Sequence, residues 1–181
     1  MPSRRLLLLL ALLVSAGLLS GFPASATEVT PAWQACFTPG EDCTGLILRQ
    51  LHAARKTILV QAYSFTSEPI ARELADAHRR GVEVRVILDK SNRTEKYSAS
   101  DFLAHAGIAV LIDSEHRIAH NKVMVIDGET IITGSFNFTK AAQLDNAENV
   151  LVIHSQKLAR RYQDNWQRHA AHSEPYTGRG Q

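Results

Sequence analysis

Between residues 57 and 112 the chain alternates short apolar runs with helix-period stripes, and few folds accommodate that order. Residues 57–63 (TILVQAY) read as a largely apolar strand. Ser67 then caps a predicted helix, with Pro69 in its first turn and Ile70, Leu74 and Ala77 on one stripe, until Gly81 stops it. Residues 82–88 form the next strand, where Glu83 and Arg85 alternate with valines and leave one wetter face in its first half. After a basic stretch come a short helix over 98–105, ended by Gly107, and a strand over 108–112.

The same alternation extends to both sides. A helix over 44–54 places Ile47, Leu51 and Ala54 on one face, and residues 122–126 and 130–133 form strands joined by the turn signal Asp127-Gly128. A further apolar strand covers 149–153, and Leu158, Tyr162 and Trp166, at i, i+4 and i+8, mark a final core-packing helix. The expectation is one α/β domain over residues 27–171, followed by a polar tail at 172–181.

The chemistry concentrates in residues 120–137. His120 and Lys122 sit two apart beside a strand, so their side chains share a face. Asp127 follows at the turn, and Gly134-Ser135-Phe136-Asn137 begins where the partner strand ends. Singly, each residue has an ordinary structural explanation: a surface histidine, an edge lysine, a hairpin turn. Together they supply a reactive imidazole, a fixed cation and short hydrogen-bond donors, which is what phosphodiester chemistry without a metal requires.

The ungapped pattern His-x-Lys-x4-Asp-x6-Gly-Ser-x-Asn resembles the signature of the phospholipase D superfamily. Residues 134–142 (GSFNFTKAA) and 146–150 (NAENV) are most similar to its small bacterial endonuclease branch, and 62–66 (AYSFT) and 81–89 (GVEVRVILD) fit the same likeness. The resemblance implies a mixed sheet sandwiched between helices and cleavage through a covalent phosphohistidine. His120 is then the reactive group, since a neutral imidazole can attack phosphorus and its protonated form can protonate a leaving oxygen near neutral pH. Lys122 stabilises charge on the nonbridging oxygens, and Ser135 and Asn137 donate to the same phosphate. Similarity to the nucleases also implies that Glu148 holds the histidine ring through its second nitrogen. Asp127 belongs to the motif's catalytic set, but its place in a turn leads us to expect that it organises the loop.

That mechanism needs two histidines, and the chain supplies one. His52, His78, His105, His116, His154, His169 and His172 lack a lysine two residues on. A twofold homodimer would bring two His120 rings to one phosphate, as the resemblance also implies. No cofactor is expected, and the lysine and asparagines of the motif make a poor cage for a metal.

The start of the chain points to export. Arg4 and Arg5 precede an apolar run from Leu6 to Leu19, and Ala24-Ser25-Ala26 offers a cleavage site, so residues 1–26 read as a signal peptide. A retained anchor is the alternative, although the run is short for a bilayer crossing; with cleavage, the expected location is periplasmic or secreted, with no stable membrane association. Cys36 and Cys43 flank a Pro-Gly turn and could close a disulfide in such a compartment; two buried thiols are the alternative, and a zinc site lacks a second cysteine pair.

Without Arg4 and Arg5 the 20 basic residues fall to 18, equal to the 18 acidic ones, so a generally basic nucleic-acid coat is excluded. Lys90, Arg93 and Lys96, directly after the strand predicted over 82–88, and Lys140 beyond the Gly-Ser turn, are the candidate local contacts to nucleic acid. The expected function is a phosphodiesterase cleaving DNA, or RNA, with little sequence preference. Alternatives are a phospholipase acting on lipid headgroups and a nucleic-acid binding module without turnover.

Overall fold

The computed structural model describes residues 32–96 and 98–178. The expected signal peptide and its cleavage point lie outside the described residues. In chain order the elements are β1 (Trp33–Thr38), α1 (Cys43–Ala53), β2 (Thr57–Ala62), α2 (Glu68–Arg79), β3 (Glu83–Asp89), a 3-10 turn (Lys90–Arg93), α3 (Ser100–His105) and β4 (Ala109–Asp113). They continue with β5 (Lys122–Ile126), β6 (Thr130–Gly134), α4 (Lys140–Leu144), β7 (Glu148–His154), α5 (Gln156–His172) and β8 (Glu174–Pro175).

All eight strands join one sheet in the order β1-β7-β6-β5-β2-β3-β4-β8. Strands β2, β3 and β4 are parallel, and every other pairing is antiparallel. Parallel neighbours need crossover connections, and the α2 and α3 segments provide them. On one face, Ile58 and Val60 of β2, Val84 and Val86 of β3 and Met124 of β5 pack with Leu51 of α1, Leu74 of α2 and Leu103 of α3. On the other, Leu59, Ile87, Val123 and Val125 pack against Ala159 and Trp166 of α5. The sheet is therefore mixed and covered by helices on both faces, the architecture that the resemblance implies.

Local chemistry explains the element ends. Asp42 caps α1 by accepting from the Gly45 amide at 2.8 Å. Ser67 stands at the cap position of α2 but makes no side-chain cap bond; its amide donates instead to the Phe138 carbonyl at 2.8 Å. The wetter face expected of β3 is real at Glu83, which is exposed, whereas the Arg85 guanidinium lies 4.6 Å from the centre of the Trp166 ring. The β5–β6 hairpin turns through Asp127 and Gly128, both with positive φ (53° and 70°), as the Asp-Gly signal predicts. Cys36 and Cys43 form a disulfide that ties β1 to the start of α1.

Two strands escape the sequence reading. β1 is an outer strand with Trp33, Ala35 and Phe37 exposed, and only its distant pairing with β7 defines it. β8 lies within the expected polar tail. Beside it, Tyr176 is buried and its hydroxyl donates to Asp101 Oδ1 at 2.7 Å, so residues 173–176 belong to the fold rather than to a solvated tail. Among the described residues no helix is long and apolar enough to cross a membrane.

Candidate active site

The site follows from strand direction. The carboxyl ends of β2, β3 and β4 share one edge of the sheet with the amino end of β5, because β5 runs antiparallel to β2. The carboxyl end of β6 and the amino end of β7 reach the same edge. His120, Lys122, Ser135 and Glu148 therefore emerge together, where open α/β sheets place their ligands.

His120 is exposed, and its ring centre lies 4.6 Å from that of Tyr63, at the end of β2. Lys122 is 7% exposed, donates to the His120 carbonyl at 2.8 Å and has its Nζ 5.1 Å from the Tyr63 ring centre. Burial pushes its amine below the usual lysine range, and the Glu148 carboxylate opposes that shift. Lys122 is thus a cation held by position and shielded from water, the form in which charge acts most strongly on a reacting phosphate.

Gly134 makes the adjoining turn possible. Its φ is +144°, and a Cβ there would stand 2.2 Å from the Asn149 carbonyl oxygen. That carbonyl accepts from the Ser135 and Phe136 amides at 3.2 and 3.3 Å, pinning the turn against β7. Ser135 Oγ donates to Glu148 Oε2 at 2.6 Å and accepts from the Asn149 amide and side chain at 3.1 and 3.2 Å. Asn146 Nδ2 donates to Glu148 Oε1 at 3.0 Å. Asn137 is half-buried and its Oδ1 has no partner, an unspent polar group in this turn.

Glu148 departs from the reading by resemblance. Among the described residues its hydrogen bonds go to Ser135 and Asn146, and none goes to His120. The histidine instead packs on Tyr63, which sequence reasoning passed over because only the β2–β5 register, with Ala62 opposite Lys122, brings it alongside. Asp89 was missed for a similar reason: buried at the end of β3, it accepts from the Ala119 amide at 2.7 Å and so anchors the residue before His120.

Asp127 stands apart from the cluster. It lies at the far end of β5 from Lys122, roughly 16 Å along the strand. Its carboxylate accepts from the amides of Arg55, Lys56 and Thr57 at 2.9, 2.7 and 2.9 Å, fastening the loop that leads into β2. Its place in the motif is explained by that fastening rather than by contact with substrate. Asp127→Ala is expected to cost about 1–3 kcal/mol, because three donors lose a charged acceptor and alanine disfavours the positive φ. Turnover below the melting transition should stay within about threefold. Urea unfolding and initial rates measured together check both halves.

The basic candidates are unequally placed. Lys90 donates to the His116 carbonyl at 3.0 Å, and Arg93 pairs with Glu174. Both brace the surrounding chain; Lys90, Lys96 and Lys140 are all exposed. Lys140 lines a groove with Thr66, Ser67, Gln143 and Leu144.

Comparison with known proteins agrees with this geometry. Residues 47–170 match the family described as cardiolipin synthase, PLD-like domain. A protein named phospholipase D from Rickettsia conorii is 48% identical over 131 residues, covering 72% of this chain and 66% of that protein, so the chain spans slightly less than two thirds of it. A mitochondrial cardiolipin hydrolase from Canis lupus familiaris is 34% identical over 147 residues, covering 81% of this chain and 58% of the other. The crystal structure of Nuc from Salmonella typhimurium, a phospholipase D family member, superposes with a TM-score of 0.78 at 37% identity, covering 81% of this chain and 99% of Nuc. NucT from Helicobacter pylori, at 23% identity and a TM-score of 0.73, shares the fold. With its family match, its fold and the ungapped His-Lys-Asp pattern in agreement, the chain belongs to the phospholipase D superfamily of phosphodiesterases.

Proposed function

We propose that this protein is an exported, metal-independent endonuclease that cleaves DNA or RNA through a phosphohistidine at His120. The observation that carries the reading is an exposed imidazole beside a buried ammonium, with the Ser135 and Asn137 turn at the same sheet edge. An attacking group must reach phosphorus, and the group that stabilises the pentacoordinate oxygens works best where water is excluded. His120 attacks, and the bond to the leaving oxygen breaks as a second imidazole protonates that oxygen. Water, deprotonated by the second ring, then displaces the histidine.

The second ring comes from another copy of the chain in this reading, because only one His-x-Lys pattern occurs in the sequence. Size supports the nuclease branch, since the chain covers nearly all of Nuc. Contacts to phosphate alone carry no base information, so little sequence preference is expected. The lipid reading is favoured by the names of the relatives, phospholipase D in Rickettsia and cardiolipin hydrolase in Canis lupus familiaris.

Plasmid, single-stranded DNA, RNA and phospholipid vesicles incubated with the purified protein in EDTA separate these readings. Cleavage of nucleic acid with intact vesicles is expected. Headgroup release without nucleic-acid cleavage would establish the lipid reading, and binding without turnover of any substrate would leave a binding module.

A further inference from the structure

Three of the histidines that fail the His-x-Lys pattern meet in space. Asp113, fully buried at the end of β4, has His116 three residues on in the loop towards β5, and His169 and His172 lie one turn apart near the end of α5. Asp113 Oδ2 lies 3.0 Å from His116 Nδ1, 2.8 Å from His169 Nδ1 and 3.4 Å from His172 Nε2. One ligand-type atom from each of the four residues falls within 4.8 Å of all the others.

We propose that Asp113, His116, His169 and His172 form a binding site for one divalent transition-metal ion, with Zn²⁺ the best match. Three imidazole nitrogens and one carboxylate oxygen are a donor set that zinc accepts. With metal–ligand bonds of about 2.0–2.1 Å, the edges of a tetrahedron are about 3.3 Å; the three that start at Asp113 Oδ2 are already 2.8–3.4 Å, and those between the imidazole nitrogens lie within 4.8 Å, so the rings would draw in around the ion.

Hydrogen bonds from His116 and His169 reach the Asp113 carboxylate but leave one nitrogen of the cluster unspent. Asp113 Oδ2 faces three ring nitrogens, and His172 Nε2 is buried without a hydrogen-bond partner. Among the described residues no lysine or arginine pairs with this buried carboxylate, whereas a bound cation would satisfy both the charge and the orphaned nitrogen. Beyond the four donors, Glu115 Oε2 lies 3.6 Å from His172 Nδ1, on the side of the ring that would face away from the metal, where carboxylates orient ligating histidines.

Four protein donors close the coordination sphere, which marks a structural clamp rather than a reaction centre. The clamp would join α5 to the loop between β4 and β5, and that loop ends in His120. Lys90 and Asp89 already hold the same loop from β3 and the turn after it.

The test uses the full-length protein stripped with chelator and titrated with ZnCl₂ or CoCl₂ alone. One ion per chain with a Kd tighter than about 1 µM is expected, together with the visible spectrum of tetrahedral cobalt. Zinc at a hundredfold excess over Kd should raise Tm by about 5–10 °C. His169→Gln and His172→Gln should each weaken binding by tenfold or more, while His52→Gln and His120→Ala retain one ion. His172→Gln should still hydrolyse substrate in EDTA, because the ion clamps the loop and does not touch phosphate; that result separates this site from the chemistry at His120. Wild-type protein that takes up no stoichiometric zinc or cobalt would overturn the proposal whatever the variants do, as would undiminished binding in His169→Gln and His172→Gln.

Discussion

On the nuclease reading, replacing His120 with alanine is expected to lower hydrolysis on the order of 10⁵-fold while nucleic acid still binds. Removing a nucleophile abolishes the covalent route and leaves only the residual catalysis of a binding site. His120 is exposed and makes no core contact that folding depends on, so the melting temperature should change little. Full activity in the variant would remove the imidazole from the reaction. A large loss of binding alongside turnover would instead make it a substrate anchor. Pre-steady-state rates and filter binding on the same preparation separate these outcomes.

Lys122→Met should give the second-largest loss, about 10³-fold in kcat, with the opposite effect on stability. Its buried ammonium donates to the His120 carbonyl at the same sheet edge, and removing one strong transition-state donor costs roughly this much elsewhere. The same residue is a burden on the fold. Burial holds its amine below the ordinary lysine range, so the folded state binds a proton there less readily than the unfolded chain does.

At neutral pH the protonated amine therefore costs stability, and methionine, of similar length, relieves that cost. The variant should melt higher than wild type near neutrality. Its advantage should shrink as pH rises through the lowered folded-state value, because the wild-type amine then sheds its proton. Melting curves across that range test the sign. A variant less stable at neutral pH would mean that the Glu148 and Tyr63 contacts outweigh desolvation. An inactive but stabilised protein is the signature of a residue retained for chemistry.

Sequence periodicity gave most of the scaffold because local rules dominate there. The helix expected over 44–54 is Cys43–Ala53, and the strand expected over 82–88 is Glu83–Asp89. The hairpin is found where Asp127-Gly128 puts it, since few residue pairs tolerate two successive positive φ values. β1 and β8 were invisible for the complementary reason. Each is an outer strand defined by a partner far away in sequence, Val152 opposite Gln34 and Ile112 opposite Glu174; β8 is only two residues long, and β1 turns Trp33, Ala35 and Phe37 outward.

The site was legible as a set of residues but not as a set of contacts. His120, Lys122, Ser135 and Glu148 converge because strand order brings their ends together, and strand order is not written locally. Tyr63 and Asp89 position His120 through that order alone. The carboxylate at position 148 illustrates the limit of analogy: the motif names the residue, whereas the fold gives it to Ser135 and Asn146. The cluster around Asp113 did carry a sequence signal, two Asp/His-x-x-His spacings, but their 53-residue separation hid the join.

The most direct measurement is a rapid acid-free quench of wild-type protein turning over a ³²P-labelled phosphodiester, followed by peptide mapping. A phosphoryl adduct on His120, formed and lost at rates that support turnover and missing in His120→Ala, is the expected result. Steady hydrolysis with no label on the chain, or with label on any other residue, would contradict the covalent mechanism at its source.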